Sequence, residues 1–184
     1  MSPASRQWCR AGLRSLERFL AVVGVCALIY HTCLDYSIMI SGSMSPALQG
    51  ENEATGDRVI FERVTGWFHA PRRWEIHQFH TPEGLTVAKR IVGLPGERVS
   101  LRNGVLCING KPVPIPASLA HLHYYALGNL AQNHEVNCGA GYYVLGDDSK
   151  DSQDSRYEGV LAAGRFTARA WLIVGPSGRR GWVR

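Results

Sequence analysis

Leu85-Thr-Val-Ala-Lys-Arg-Ile-Val-Gly-Leu-Pro-Gly-Glu-Arg-Val-Ser-Leu-Arg-Asn-Gly-Val-Leu-Cys-Ile-Asn-Gly110 alternates short apolar runs with turn dipeptides. Asn103-Gly104 and Asn109-Gly110 are the sharpest of these signals. A two-residue hairpin turn that matches strand twist needs positive φ at both residues, which Asn and Gly tolerate. With Pro95-Gly96 they divide the stretch into runs at 85–92, 98–101 and 105–108, none with helical spacing, which predicts strands. Working outward, 58–64, 142–145 and 167–174 read the same way. The stretches 65–86 and 111–140, rich in Pro, His and Gly, lack sustained periodicity and are expected to be long connections. The prediction is a mainly β chain whose folded domain is a coiled antiparallel β-sheet.

The ends of the chain carry different information. At 184 residues, 45% apolar and 19% charged, the sequence supports one domain with a real core and excludes wholesale disorder. The net charge of +5 is uneven, because Arg6, Arg10, Arg14 and Arg18 against Glu17 supply +3 of it ahead of the first apolar run. A nucleic-acid binder concentrates positive charge on its folded domain, so that class is excluded. Phe19 to Leu34 gives 16 residues without a formal charge, about 24 Å of helix at ~1.5 Å per residue. That is short for a bilayer, and it spans one if Arg18 and Tyr30 snorkel. No small-x-small cleavage site follows it, which argues against a removable leader. The expected organisation is a cytoplasmic basic tail over 1–18, one transmembrane helix over 19–35 and an exported β-rich domain over 36–184.

Chemistry is suggested by Met39-Ile-Ser-Gly-Ser-Met-Ser-Pro46, just beyond the apolar run. A serine hydroxyl needs a base before it is a useful nucleophile. The chain has seven histidines, none in a hydrolase motif, and His77-x-x-His80 lacks the Glu and third ligand of a metalloprotease helix. Lysine is rarer: 17 Arg stand against Lys89, Lys111 and Lys150. Lys111 follows a turn and Lys150 sits among Asp and Ser, but Lys89 lies inside an apolar strand. Desolvation there lowers its pKa, at a cost of roughly 4 kcal/mol to bring ~10.4 near neutrality. Arginine could not serve, because a guanidinium keeps its proton. A third segment, Tyr142-Tyr-Val-Leu-Gly-Asp-Asp-Ser-Lys-Asp-Ser-Gln-Asp-Ser-Arg156, runs from a strand into a dense polar loop without the Gly and Glu of a calcium loop. No metal and no cofactor are expected.

In order, spacing and residue type these segments resemble type I signal peptidases. The family's Ser-x-Ser-Met-x-Pro is similar to Ser41–Pro46, its Gly-Asp strand start to Gly56-Asp57, its Lys-Arg-x-x-Gly-Leu-Pro-Gly to Lys89–Gly96, and its Asp-Ser-Arg box to Gly146–Arg156. The resemblance implies a serine endopeptidase using a Ser-Lys dyad: Ser43 as nucleophile, Lys89 as general base, and the Ser41 hydroxyl with the Ser43 N–H as oxyanion hole. It further implies that Ser152 orients Lys89, that Asp154 and Arg156 form a supporting ion pair, and that Asp147 holds the loop. Met39, Ile40, Val87 and Ala88 are implied to surround the substrate's −1 and −3 side chains. Ile40, Ala47 and Asp148 depart from the usual Pro, Thr and Asn, and none of them is one of the implied reacting groups. The implied substrates are exported preproteins cut after small-x-small sites, or, in the alternative, a pilin precursor trimmed or cyclised by a conjugative-transfer peptidase of the same family. The implied setting is the bacterial cytoplasmic membrane, single-pass with the N-terminus cytoplasmic, the lipid bilayer as a partner and nucleic acid excluded. Oligomeric state, and whether Cys107 and Cys138 pair, stay open at this level.

Overall fold

A computed structural model describes residues 3–183, with side chains from residue 12 onward, so Arg6, Cys9 and Arg10 of the basic tail lie outside the described side chains. The chain opens with helix α1 (Pro3–Cys33) and turns directly into strand β1 (Leu34–Ile38). Leu34 and Asp35, expected to close the anchor, therefore belong to a strand, where they pair with Glu62 and Phe61. Among the described residues no helix is long and apolar enough to cross a membrane. The uncharged run is 16 residues where about 20 are needed. The described apolar side chains of α1 are nonetheless exposed, from Phe19 and Leu20 through Val25 to Leu28 and Ile29.

The strands that follow are β2 (Arg58–Glu62), β3 (Ile76–His80), β4 (Thr86–Gly93), β5 (Arg98–Arg102), β6 (Val105–Ile108), β7 (Lys111–Pro112), β8 (Glu135–Asn137), β9 (Tyr143–Leu145), β10 (Phe166–Gly175) and β11 (Gly181–Trp182), with a short helix α2 (Ser155–Glu158) before β10. They form a seven-stranded sheet in the order β1-β2-β10-β3-β4-β9, with β11 on β10, and a four-stranded sheet β7-β6-β5-β8. All the pairings described are antiparallel. Asn103 and Gly104 (φ +50° and +80°) turn β5 into β6, and Asn109 and Gly110 (+52° and +76°) turn β6 into β7, as their dipeptides predict.

The stretches 65–86 and 111–140 are not only connections. The first contains β3, a central strand, and the second contains β7 and β8. Ile76-His-Gln-Phe-His80 shows no apolar alternation because its polar residues are buried too: His77 and Gln78 are as enclosed as Ile76 and Phe79. Their partners, Glu75 for His77 and Asp35 for Gln78, take the place of water.

Three apolar clusters hold the layers. Val92, Val99, Leu101, Leu106, Tyr143 and Leu145 join the small sheet to β4 and β9. Phe79, Ile91, Tyr142, Val144 and Leu161 pack together between β3, β4 and β9. Met44 and Leu48, from the loop after β1, sit on Val59, Phe61, Ile76, Ala88, Ala168 and Ala170. Full burial of such side chains contributes about 1.5–3 kcal/mol each, which fixes that loop against the sheet.

Candidate active site

The loop that Met44 and Leu48 anchor carries Ser41 in extended conformation (φ −130°, ψ 151°) and then a single tight turn, Gly42–Met44. Asp57, almost fully buried at the foot of β2, ties the loop down: its carboxylate accepts from the Gln49 N–H at 2.8 Å and from Arg179, while its carbonyl accepts from the Met39 N–H at 2.9 Å. Gly56 before it approaches so closely that a Cβ would lie 1.9 Å from the Met39 carbonyl oxygen. The Gly-Asp pair noticed in the sequence thus acts on the serine loop from below.

Lys89 comes from the middle of β4, paired in register with His77 and only 4% exposed. Its Nζ lies 2.6 Å from Ser43 Oγ. Ser41 Oγ is 3.3 Å from the same hydroxyl. Burial pushes the Lys89 ammonium below its ordinary pKa, while the carboxylates of Asp154, Glu158 and Asp147 oppose that shift and Arg156 adds to it. A neutral amine at hydrogen-bond distance can accept the serine proton, and the Ser41 hydroxyl can donate to an oxygen that gains negative charge nearby. The hydrogen bonds of His69, His77 and His80 go elsewhere, to Ala70, Glu75 and Thr86.

The polar loop after β9 closes the back of this pair. Asp147 forms a two-pronged ion pair with Arg90 (2.8 and 2.6 Å), and Asp154 another with Arg156 (2.8 and 2.7 Å), all four side chains withdrawn from water. Arg156 also donates to Ser149 O and Oγ, and the Asp148 N–H donates to the Ser43 carbonyl at 3.1 Å. Gly146 lies between the two segments, where a Cβ would stand 2.2 Å from Ser152 Oγ and 2.6 Å from Ser43 O. Ser152 is therefore at the pair, yet its buried hydroxyl has no hydrogen-bond partner, and the described Lys89 bond goes to Ser43. The ion pair of Asp154 with Arg156 was legible in the sequence. Arg90 as the partner of Asp147 was not; its only signal was a second basic residue beside Lys89 in an apolar strand.

A groove of about 550 Å³ runs past Ser43 and Lys89, lined on one side by Ile38, Met39, Ile40 and Ser41 and on the other by Thr86, Val87 and Ala88. Met39, Ile40, Val87 and Ala88 are thus brought together at the serine. The sequence reading missed Gln78, Gln153 and Glu158, which also line it. β9 pairs with Arg90, Ile91 and Gly93, and β3 pairs with Thr86 through Arg90, so the Thr86–Lys89 half of β4 has a described strand neighbour on one side only. Among the described residues no cluster of His, Cys, Asp or Glu could hold a metal. Cys107 and Cys138 are both buried as free thiols, and burial pushes Cys138 up to about 11.

Known proteins similar to this chain are signal peptidases. A signal peptidase I from Leptolyngbya laminosa is 31% identical over 150 residues, covering 77% of this chain and 68% of that protein. A signal peptidase I from Bacillus caldolyticus is 28% identical over 165 residues, covering 83% and 87%. A solved signal peptidase I from Enterococcus faecalis is 31% identical, over 55% of this chain and 97% of that one, with a TM-score of 0.44. The family model described as signal peptidase, peptidase S26, matches residues 13–174, and the chain belongs to that family of serine endopeptidases.

Proposed function

We propose that this chain is a membrane-bound signal peptidase I-like endopeptidase that cleaves signal peptides from exported preproteins after small-x-small sites by Ser-Lys chemistry. The observation that carries the reading is the 2.6 Å contact between Ser43 Oγ and a Lys89 Nζ whose burial favours the neutral form. An extended substrate segment adds to the free half of β4 by backbone pairing, between Thr86–Lys89 and the 39–41 loop. Alternate side chains, −1 and −3, then point the same way, toward Met39, Ile40, Val87 and Ala88.

Lys89 accepts the Ser43 proton as Oγ attacks the scissile carbonyl carbon. The carbonyl oxygen becomes negative and takes hydrogen bonds from the Ser43 N–H and the Ser41 hydroxyl, a type of donor worth about 3 kcal/mol in rate. Collapse breaks the C–N bond, and the Lys89 ammonium protonates the departing amine. Water, deprotonated by Lys89, then attacks the ester carbonyl; the C–Oγ bond breaks, the Lys89 ammonium returns its proton to Ser43 Oγ, and the signal peptide leaves with its new carboxyl end. The ion pairs of Asp147 with Arg90 and of Asp154 with Arg156 keep the loop in place behind the pair, and the Ser152 hydroxyl, free in the resting site, is the group that Lys89 meets once its proton has moved.

The test is incubation of detergent-solubilised full chain with a preprotein and, in parallel, a pilin precursor, with products mapped by mass. Ser43-dependent cleavage of the preprotein after a small-x-small site is the expected result. Preferential conversion of the pilin precursor would overturn it in favour of the conjugative-transfer branch.

The same reading makes α1 the anchor. Its apolar side chains from Phe19 to Ile29 are exposed in the chain alone, and bilayer thinning with snorkelling of Arg18 and Tyr30 accommodates a short span. The arginines ahead of it keep the N-terminus cytoplasmic and export residues 36–184. A reporter fused after residue 184 is expected to be active only on the exported side; activity in the cytoplasm rejects this orientation.

A further inference from the structure

From Asp147 to Gln153 the loop after β9 reads Asp-Asp-Ser-Lys-Asp-Ser-Gln, so no apolar side chain anchors it and its position depends on hydrogen bonds. Two of its residues are pinned. Asp147 is held by Arg90 at 2.8 and 2.6 Å. Ser149, only 3% exposed, is held from two sides: its Oγ accepts from the Tyr125 N–H at 2.9 Å and from Arg156 Nη1 at 2.8 Å. Asp148 hangs between them, and its N–H donates to the Ser43 carbonyl at 3.1 Å.

Tyr125 comes from the irregular stretch between β7 and β8, which is fastened to the Asp154–Arg156 segment at several points. The Tyr125 carbonyl accepts from Arg156 Nη1 at 3.3 Å, and Asn129 Nδ2 donates to the Ser155 carbonyl at 2.8 Å. Gly128, at φ +55°, passes so close that a Cβ would stand 2.3 Å from the Arg156 carbonyl oxygen. Lys150 Nζ lies 5.2 Å over the Tyr125 ring, on the outer side of the same contact. Ser149 carries this fastening across to the loop that holds Ser43.

We propose that Ser149 is a positioning residue of the reaction: its hydroxyl ties Tyr125 and Arg156 to the loop and so sets, through the Asp148 N–H, where Ser43 stands relative to Lys89. The inference rests on the proposed Ser-Lys peptidase reading and deepens it. Ser149 does not line the groove, so substrate binding is left to other residues. Without the hydroxyl, Arg156 keeps its bonds to the Ser149 carbonyl (2.7 Å) and to Asp154, which preserves the fold, while the Tyr125 N–H loses its acceptor. The loop is then free to shift, and a reacting group misplaced by about 1 Å costs up to ~100-fold in rate.

The experiment measures kcat and KM of the full chain in detergent on one cleavable signal sequence, well below the denaturation midpoint of each variant. Ser149→Ala should lower kcat on the order of tenfold with KM within about twofold of wild type, the pattern of an interaction that acts on the reacting groups alone. Ser149→Thr keeps the hydroxyl and should regain most of the lost kcat. The split between kcat and KM in Ser149→Ala decides the matter even where the added methyl of Thr does not fit. Wild-type kcat in Ser149→Ala, a loss carried by KM, or a folded Ser149→Thr as slow as Ser149→Ala overturns the role of Ser149 and leaves the peptidase reading intact. A Ser149→Ala chain that does not fold overturns it as well, because the hydroxyl is then an element of folding. Failure of the wild type to cleave overturns the peptidase reading, and this inference with it.

Discussion

Lys89→Arg lowers kcat/KM about as far as Ser43→Ala does, on the order of 10⁴-fold, with the fold retained. The arginine keeps the charge and nearly the length, but its guanidinium has no accessible neutral form and cannot accept the Ser43 proton. The double variant is little worse than either single one, because the two groups act as a unit. The pH profile of the parent carries the same information. Burial lowers the Lys89 pKa, and the neutral form is the base. Activity therefore rises with pH as the ammonium deprotonates, giving kcat/KM an acidic limb whose midpoint lies below the ordinary lysine value. Nearby carboxylates hold that midpoint up, so Glu158→Gln should move the limb to lower pH. Near-normal turnover by Lys89→Arg would reduce the lysine to a packing element and send the search for a base back to the histidines.

The largest expected loss of stability is at Asp147. Its carboxylate meets Arg90 through two hydrogen bonds of 2.8 and 2.6 Å, with neither side chain exposed. Asp147→Ala removes the counter-charge and leaves the guanidinium buried with fewer partners, a change that typically costs 3–5 kcal/mol, or roughly a third to a half of the stability of an ordinary domain. The measurement is the denaturation midpoint of the full chain. Replacing both partners by apolar residues, Arg90→Met with Asp147→Leu, should recover much of the loss, because no charge is then buried. A loss below about 1 kcal/mol for Asp147→Ala would mean that the pair is effectively solvated. Activity should fall with stability, since Asp148, the next residue, donates its N–H to the Ser43 carbonyl.

What was legible in the sequence follows the reach of each interaction. The turns at Asn103-Gly104 and Asn109-Gly110 were readable because positive φ is a property of the residues themselves. β2, β4, β5, β6, β9 and β10 were readable because apolar runs between breakers have few other uses. The desolvated lysine was readable for the same reason, since Lys89 is flanked by strand residues that must be buried. β3 was not, because His77 and Gln78 are buried by virtue of Glu75 and Asp35, and the Asp35 partner lies 43 residues away. The anchor expected over 19–35 runs two residues past the end of α1, because Leu34 prolongs the uncharged run up to Asp35 and only pairing with β2 makes these two residues strand.

By itself the sequence determined the β class, the hairpin turns, the rarity of lysine and the two short segments that carry Ser43 and Lys89, all of which depend on residue type and local spacing. Only the tertiary structure decided that Lys89 Nζ stands 2.6 Å from a hydroxyl 46 residues away, that Arg90 and not another cation meets Asp147, that Ser152 keeps an unbonded hydroxyl, and that Gln78 of β3 lines the groove. Those contacts join strands distant in the chain, and their geometry is set by the packing of whole sheets, a quantity that no local pattern of residues encodes.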